Sequence, residues 1–494
     1  MMNGHGKSDR RVVPTKFANK DDALSSAERD GGKTSNQGKH GKQNASRTQK
    51  AETDAHSALT RVRKIAIRDK KIQFTNLLHH ISSIDRLRAS YFSMKRKAAA
   101  GIDGETWKSY GENLEANLLD LAQRLQRGGY HAKPVRRVFI AKADGKQRPL
   151  GVPVLEDKIV QRSTTEVLNA IYEIDFLDMS FGYRPGKSQH NCLDVLFNDI
   201  QTKRVNWILD ADIRGFFDNL SHEWIVKFIE HRIKDERVIR LIQKWLKAGV
   251  MINGRREETD EGVPQGGSIS ALISNIYLHY VLDLWIDQRQ KDKSRGEINA
   301  VRFADDFVVG FEHKSEAMKF LADLKERMLK FGLELHPVKT RILQFGRFAA
   351  RDRKKRKEGK PETFNFLGFT HICGLTLKNR KFTILRHTIN KKLRMKLSEI
   401  RTELRRRMHR SIADQGKWLR SVVGGHFRYY GVPNNQKALG SFHYQVADIW
   451  YRTLKRRSQK SRLLWPRMKK IRDRWLPPVR VHHPYPYERL RVRT

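Results

Sequence analysis

Two short acidic elements hold the residues of this 494-residue chain best suited to chemistry. The run from Val301 to Phe311 sets Asp305 and Asp306 between two β-prone apolar stretches, which reads as a hairpin with the acids at its turn. Neighbouring side chains point to opposite faces of a regular strand, whereas at a tight turn both can approach one cation. Taken alone, such a pair is more often a solvated Asp-Asp turn. The run from Trp207 to Asp218 is a second apolar strand ending in acids, with Asp210 and Asp212 followed by Gly215, two aromatics and Asp218. Hard divalent cations need clustered oxygen ligands, and phosphoryl transfer uses two such ions roughly 4 Å apart, one activating the attacking hydroxyl and one holding the leaving group. Three carboxylates from the two strands meet that need. Asp210 and Asp212 share strand parity, so spacing does not decide which is the ligand, and Asp218 is equally a helix cap for the turn Ser221-His222-Glu223.

The elements that must position these acids follow from composition and periodicity. At roughly 150 residues per domain the length suggests about three domains, and 38% hydrophobic residues supply real cores. Residues 1–55, rich in Gly, Ser, Asn, Lys and Asp, bury too little to offset ordering entropy and read as a flexible basic leader. Ile72 to Tyr91 and Leu114 to Leu125 show helical spacing and bracket the loop Gly101-Ile102-Asp103-Gly104. From about 130 to 345, β-rich runs (Val135 to Ile140, Trp207 to Asp212, Val301 to Phe311) alternate with helical stretches, an α+β signature. Residues 351–361 form a charged, turn-containing connector. Beyond it, Ile389, Leu393, Leu397, Ile400, Leu404 and Met408 draw one apolar seam along a helix of about six turns.

Charge narrows the class of partner. With 99 Lys and Arg against 54 Asp and Glu the chain carries +45, and residues 381–494 alone hold 30 basic against 6 acidic residues, a local +24. Such a surface selects polyanions, nucleic acid before membranes. No run of about 18 consecutive apolar residues occurs, which argues against a membrane span. Cys192 and Cys373 are too few for a disulfide scaffold or a four-cysteine zinc site, and the N-terminus lacks a secretory apolar core and matches an organelle transit peptide poorly.

The acidic elements sit within an ordered series of motifs. Phe303-Ala304-Asp305-Asp306, with Asp212-Ile213-Arg214-Gly215-Phe216-Phe217-Asp218, resembles the palm of reverse transcriptases, specifically those encoded by group II introns. Gly101 to Gly104 resembles the family's N-terminal extension loop and Lys142 to Pro153 its fingers motif. Phe181 to Gly186, Gly262 to Ser268, His336 to Thr340 and Phe366 to Phe369 follow in family order, over about 270 residues in all. The resemblance implies that Asp212, Asp305 and Asp306 are the catalytic ligands of two Mg²⁺, helped by the backbone carbonyl of Ile213, with Asp210 a bystander. Phe303 departs from the commoner Tyr.

Five neighbours read as the nucleotide site. Lys142 and Arg148 flank a turn and suit a triphosphate, Arg by its planar fork and Lys as a point charge, although a solvated hairpin fits equally. Phe217 stands where the family has an aromatic beneath the sugar, which implies exclusion of a ribose 2′-hydroxyl; by itself it reads as a core aromatic. Gln265 precedes Gly266 and Gly267, whose freedom allows close approach to the nascent base pair. Lys339 neutralises incoming phosphates in this reading, and a plain surface lysine is the blander one.

In the basic region, Arg405, Arg406 and Arg407 end the seam helix, and Lys417, Arg420, Arg428, Tyr429 and Tyr430 interleave rings with cations, a mixture suited to RNA loops or to an amphipathic helix with buried Trp418 and Phe427. Together with Arg452, Lys455, Arg456 and Arg457, this block resembles the family's maturase domain, which binds intron RNA. His482 and His483 among prolines make a poor metal set. The absence of a closely spaced Cys pair leads to the expectation that no HNH-type endonuclease is present and that the DNA primer comes from elsewhere.

The expected architecture is α+β: a right-hand polymerase with fingers and an antiparallel palm over 56–370 (N-terminal extension about 72–128), an α-helical thumb and maturase region over 371–460, and a basic tail over 461–494. The expected partners are group II intron RNA as a ribonucleoprotein, an RNA template with DNA primer, dNTPs and target DNA, in a bacterial-type cytoplasm or nucleoid, with no membrane. A reverse transcriptase used by its host without splicing shares every palm motif. A splicing cofactor with a decayed polymerase is opposed by the intact Asp212, Asp305 and Asp306, and a generic basic binder explains the charge but not the acidic motifs.

Overall fold

Stretches rich in β-branched and aromatic residues form eleven strands among the residues described in the computed structural model, which are 57–141, 147–252, 254–292, 296–376 and 379–491. The 1–55 leader and Lys142 lie outside them. The strands are β1 (Val135–Ala141), β2 (Gln147–Val152), β3 (Trp207–Asp212), β4 (Val250–Ile252), β5 (Arg255–Glu257), β6 (Ile298–Phe303), β7 (Asp306–Phe311), β8 (Arg341–Gln344), β9 (Phe364–Phe366), β10 (Phe369–Leu375) and β11 (Phe382–Thr388). They make three sheets, ordered β2-β1-β4-β5, β6-β7-β3-β8 and β11-β10-β9. With many helices around mixed sheets, the fold is α+β.

The β6-β7-β3-β8 sheet is antiparallel throughout and buried on both faces. Leu209, Ala211, Phe307 and Val309 join one core with helices Leu155–Asp175, His222–Glu230 and Ser268–Leu278. Ile208, Val301, Val308 and Leu343 join a second core with helix Gln189–Thr202, the β9–β11 sheet and the C-terminal helices Asn390–Arg406, Ile412–Tyr430 and Gln436–Lys455. Side-chain alternation along each strand divides the two sets, so the acids at its ends are held by packing on both sides. The continuous helix Ser268–Lys291 is, among the described residues, the one helix long and apolar enough to cross a membrane, but 83% of its apolar window is buried and it packs on helix Leu155–Asp175. Its apolarity is that of a core helix.

Several expectations shift. The pattern over Ile72 to Tyr91 breaks into Leu78–Ile81 and Ile84–Phe92, because Ser83 turns extended between them while Phe74 pairs with Ile233. Helix Ala349–Lys355 occupies much of the charged connector. The seam helix is 17 residues, about five turns, with Ile389 as its N-cap and Met408 beyond its end. The division drawn at 370/371 falls inside β10. The basic C-terminal stretch contains helices Trp465–Trp475 and Pro486–Arg491. The latter docks on helix Gln189–Thr202, where Asp194 accepts Arg386 at 2.9 Å and Arg489 at 3.1 Å and the rings of His190 and His483 stack 3.7 Å apart. His483 also bonds the Arg428 carbonyl at 2.6 Å, so its ring is engaged in packing.

Candidate active site

The β6–β7 connection is a two-residue turn, Ala304-Asp305, closed by the Phe303 and Asp306 pair. Ala304 sits at φ +58°, a left-handed conformation that costs a residue with a Cβ about 1 kcal/mol or more. Of the two acids, only Asp305 lies in the turn. Asp306 opens β7 and lies directly opposite Asp212 on β3. The carboxylates of Asp212, Asp305 and Asp306 offer ligand oxygens all within 4.8 Å of one another, with Asp212 and Asp305 buried and Asp306 half-buried. Lys339 places its Nζ 2.8 Å from Asp212 Oδ2, at the cluster's edge.

Asp210 stands apart. It pairs with Arg341 at 3.7 Å, and burial pushes its carboxyl up to about 7, against the pull of Arg341. Asp218 ends a short 3₁₀ turn, Phe216–Asp218, and the following helix is capped by Ser221, whose hydroxyl accepts from Trp224 N. Past β3, the Asp212 carbonyl accepts from His336 N at 2.7 Å and Arg214 N donates to Glu334 O at 2.8 Å; neither bond uses the Ile213 carbonyl.

Beside the carboxylates lies a small recess lined by Arg148, Tyr183, Phe217, Gln265, Gly266, Gly267, Ser270 and Ala271. Arg148 Nε donates to Gln265 Oε1 at 2.8 Å, which fixes the guanidinium at the rim. Gln265 O accepts from Gly151 N at 2.7 Å, and a Cβ on Gly266 (φ +133°) would stand 2.3 Å from the Gly151 carbonyl. Glycine is thus required for the loop to dock on β2. Phe217 is both core and lining: its ring packs edge-on against Phe216 at 5.3 Å and its remaining surface faces the recess. Tyr183 belongs to the Phe181–Gly186 motif but has no site role in the sequence reading. It lies at φ +58°, and backbone strain at a site wall has no signature in residue type.

The basic residues divide by location. Arg405, Lys417, Arg428 and Arg456 are exposed. Arg406 and Arg407 both grip Glu403, at 2.8 and 2.6 Å, and Arg452 pairs with Asp448. Lys455 lies over the Tyr451 ring, and Arg457 donates to the Arg410 carbonyl. Arg420 caps helix Trp465–Trp475, donating to the carbonyls of Arg474 and Trp475 at 2.7 and 3.2 Å. Tyr430 is buried, and the half-buried Tyr429 donates its hydroxyl to Leu367 O at 2.8 Å and stacks its ring on Phe369.

Residues 140–371 match the family described as reverse transcriptase (RNA-dependent DNA polymerase). Protein YkfC of Escherichia coli (strain K12) is 34% identical over 276 residues, 49% of this chain and 72% of that protein. The chain belongs to the reverse transcriptase family. Group II intron-encoded protein LtrA of Lactococcus lactis subsp. cremoris is 37% identical over 210 residues, 42% of this chain and 34% of that protein. Nuclear intron maturase 3, mitochondrial, of Arabidopsis thaliana is 24% identical over 230 residues, 42% and 30% of the two chains. The chain spans about a third of the length of these two relatives, one named as intron-encoded and one as an intron maturase.

Proposed function

We propose that this chain is an RNA-directed DNA polymerase that binds its group II intron RNA, assists its splicing and copies it into cDNA. The observation that carries the polymerase reading is the set of three carboxylates, Asp212, Asp305 and Asp306, gathered within 4.8 Å at one end of a buried antiparallel sheet. In this reading β6-β7-β3-β8 is the palm, β2-β1-β4-β5 with the helices before it is the fingers, and the helices after β11 are the thumb and maturase region.

Three hard oxygen donors gathered in one place fit hard divalent cations. Asp212, Asp305 and Asp306 would hold magnesium, which would supply activation of the primer 3′-hydroxyl and neutralisation of charge at the α-phosphate. The chain's own residues position and discriminate. Arg148, oriented by Gln265, turns its remaining donors to the triphosphate. Phe217 closes the recess against a 2′-hydroxyl, and Lys339 brings positive charge to the incoming phosphates. The RNA template with its DNA primer, and target DNA, lie along the carboxylate end of the sheet. The +24 of residues 381–494 supports structured intron RNA as the partner of the C-terminal helices.

Primer extension on an RNA template and splicing of the candidate intron RNA, each with wild-type protein and Asp305→Ala, test the reading. Asp305→Ala should bind RNA, support splicing and make no cDNA. Near-normal extension by that variant removes the polymerase assignment, and splicing indifferent to added protein removes the maturase assignment.

A further inference from the structure

Directly behind the Ala304-Asp305 turn lies a closed polar network around Arg302, which is wholly buried, as is its partner Asp283. Arginine has five N–H donors, and here each has an acceptor. Nε donates to Asp283 Oδ1 at 2.7 Å, and Nη2 to Asp283 Oδ2 at 2.6 Å and Ser180 Oγ at 2.7 Å. Nη1 donates to Asn275 Oδ1 at 3.1 Å and to the Ala304 carbonyl at 2.9 Å. The last bond grips the peptide that precedes Asp305.

The other members hold the same turn from below. Asn275 Nδ2 donates to the Gly182 carbonyl at 2.7 Å, and a Cβ on Gly182 would stand 2.2 Å from the Ala304 nitrogen. Residues 179–181 also run alongside β6, with Arg302 N donating to Met179 O at 2.7 Å and Phe181 N to Arg302 O at 2.8 Å. Asn275 and Asp283 come from one helix, eight residues apart. Two α-helical turns span about 7.2 residues. The π-turn His279–Asp283 takes up roughly one more, so both side chains return to the face that meets Arg302.

A buried ion pair is weak evidence for stability, because desolvation offsets most of its attraction. This one fixes the strained turn in place. We propose that Arg302, locked by Asp283 on the π-turn and by Asn275, is the positioning residue that sets the Asp305 carboxylate for cation binding. The proposal rests on the polymerase reading of the carboxylate cluster. Arg302 touches no substrate; it acts through the Ala304 carbonyl. Lysine at this position keeps the charge and can reach Asp283, but it lacks the fork needed to hold Asp283 and the turn together.

The test uses the full chain with Arg302→Lys and Asn275→Ala. Mn²⁺ binding to the protein without nucleic acid is followed by electron paramagnetic resonance, with primer extension, template-primer affinity and thermal melting measured in parallel. Both variants should weaken Mn²⁺ binding and lower kcat, Arg302→Lys by about 10- to 100-fold as for other groups that orient metal ligands, while template-primer affinity is unchanged. If Arg302→Lys does not fold, Asn275→Ala decides. A folded variant that melts earlier yet keeps Mn²⁺ affinity and kcat within about two-fold of wild type makes the network merely structural and overturns the proposal. Absence of extension by the wild-type protein strikes the polymerase reading instead, and the Mn²⁺ measurement still reports on Arg302.

Discussion

Asp212 on β3 and Asp306 on β7 are a directly registered cross-strand pair, two acids facing each other at the end of a sheet whose other paired positions are largely apolar. Like charges in that position destabilise a sheet by up to about 1 kcal/mol. Lys339 sets an ammonium beside Asp212, and a cation held between the two strands would relieve the repulsion of the facing pair.

Removing one of these charges should therefore separate stability from activity. Asp306→Asn relieves the repulsion and should raise the Tm of the metal-free protein by roughly 2–4 °C, the effect of about 1 kcal/mol, while abolishing primer extension. Calorimetry in chelating buffer checks the first part. A lower Tm than wild type would count against the electrostatic argument even if activity were lost.

Phe217→Ala opens the recess on the side where its ring now packs. A wall that excludes by shape discriminates against an added hydroxyl by about 100-fold at most, so preference for deoxynucleotides should fall by up to that factor. The ratio of kcat/KM for dGTP and GTP on one template measures it. Unchanged sugar preference with a lowered Tm would leave Phe217 as core packing alone.

The C-terminal segment should be acid-labile. His190 stacks on His483 beneath Tyr429, facing Asp194, Arg386 and Arg489, and its pKa is lowered to about 2, first by burial and then by His483 and the two arginines. Burial also lowers that of His483. The folded state thus binds fewer protons than the unfolded chain, and stability falls as pH drops below about 6.5, by roughly 1.4 kcal/mol per unit for His190. Protection factors for amide exchange over residues 482–489, which divide out the base-catalysed intrinsic rate, should fall as pH drops from about 7.5 to 5.5. His190→Phe, which keeps the stacking and removes the titration, should blunt that fall; an equal response in the variant would place the acid sensitivity elsewhere.

What the sequence disclosed and what it withheld have physical causes. β3 and the β6–β7 hairpin are readable because an apolar run that ends in acids departs from the polar-apolar alternation of an ordinary surface strand, and because the turn lies between two such runs. Arg302 is invisible by the same logic: a charge inside a strand reads as solvent-facing, and its partners lie 19 and 27 residues away on a helix whose π-turn breaks the 3.6-residue period. The break at Ser83 is hidden because the apolar spacing continues across it. Tyr429, Tyr430 and Arg420 carry a pattern that an RNA platform and an amphipathic helix share, and only packing shows that all three are engaged within the protein.

That division among the cations gives the last prediction. A side chain that contacts phosphate releases counterions, so its loss lowers the slope of log Kobs against log salt by about 0.7–0.9, whereas a cation engaged within the protein leaves the slope alone. Arg405, Lys417 and Arg428 are exposed along the basic helices, while Arg420 is held by the carbonyls of Arg474 and Trp475 and lies against the Trp475 ring. Filter binding of the intron RNA at several salt concentrations should therefore show a shallower slope for Arg405→Ala, Lys417→Ala and Arg428→Ala. Arg420→Ala should keep the wild-type slope and instead lose about 1 kcal/mol of stability through the uncapped helix end. The reverse pattern, a shallow slope for Arg420→Ala alone, would mean that RNA displaces the cap and that helix Trp465–Trp475 rearranges on binding.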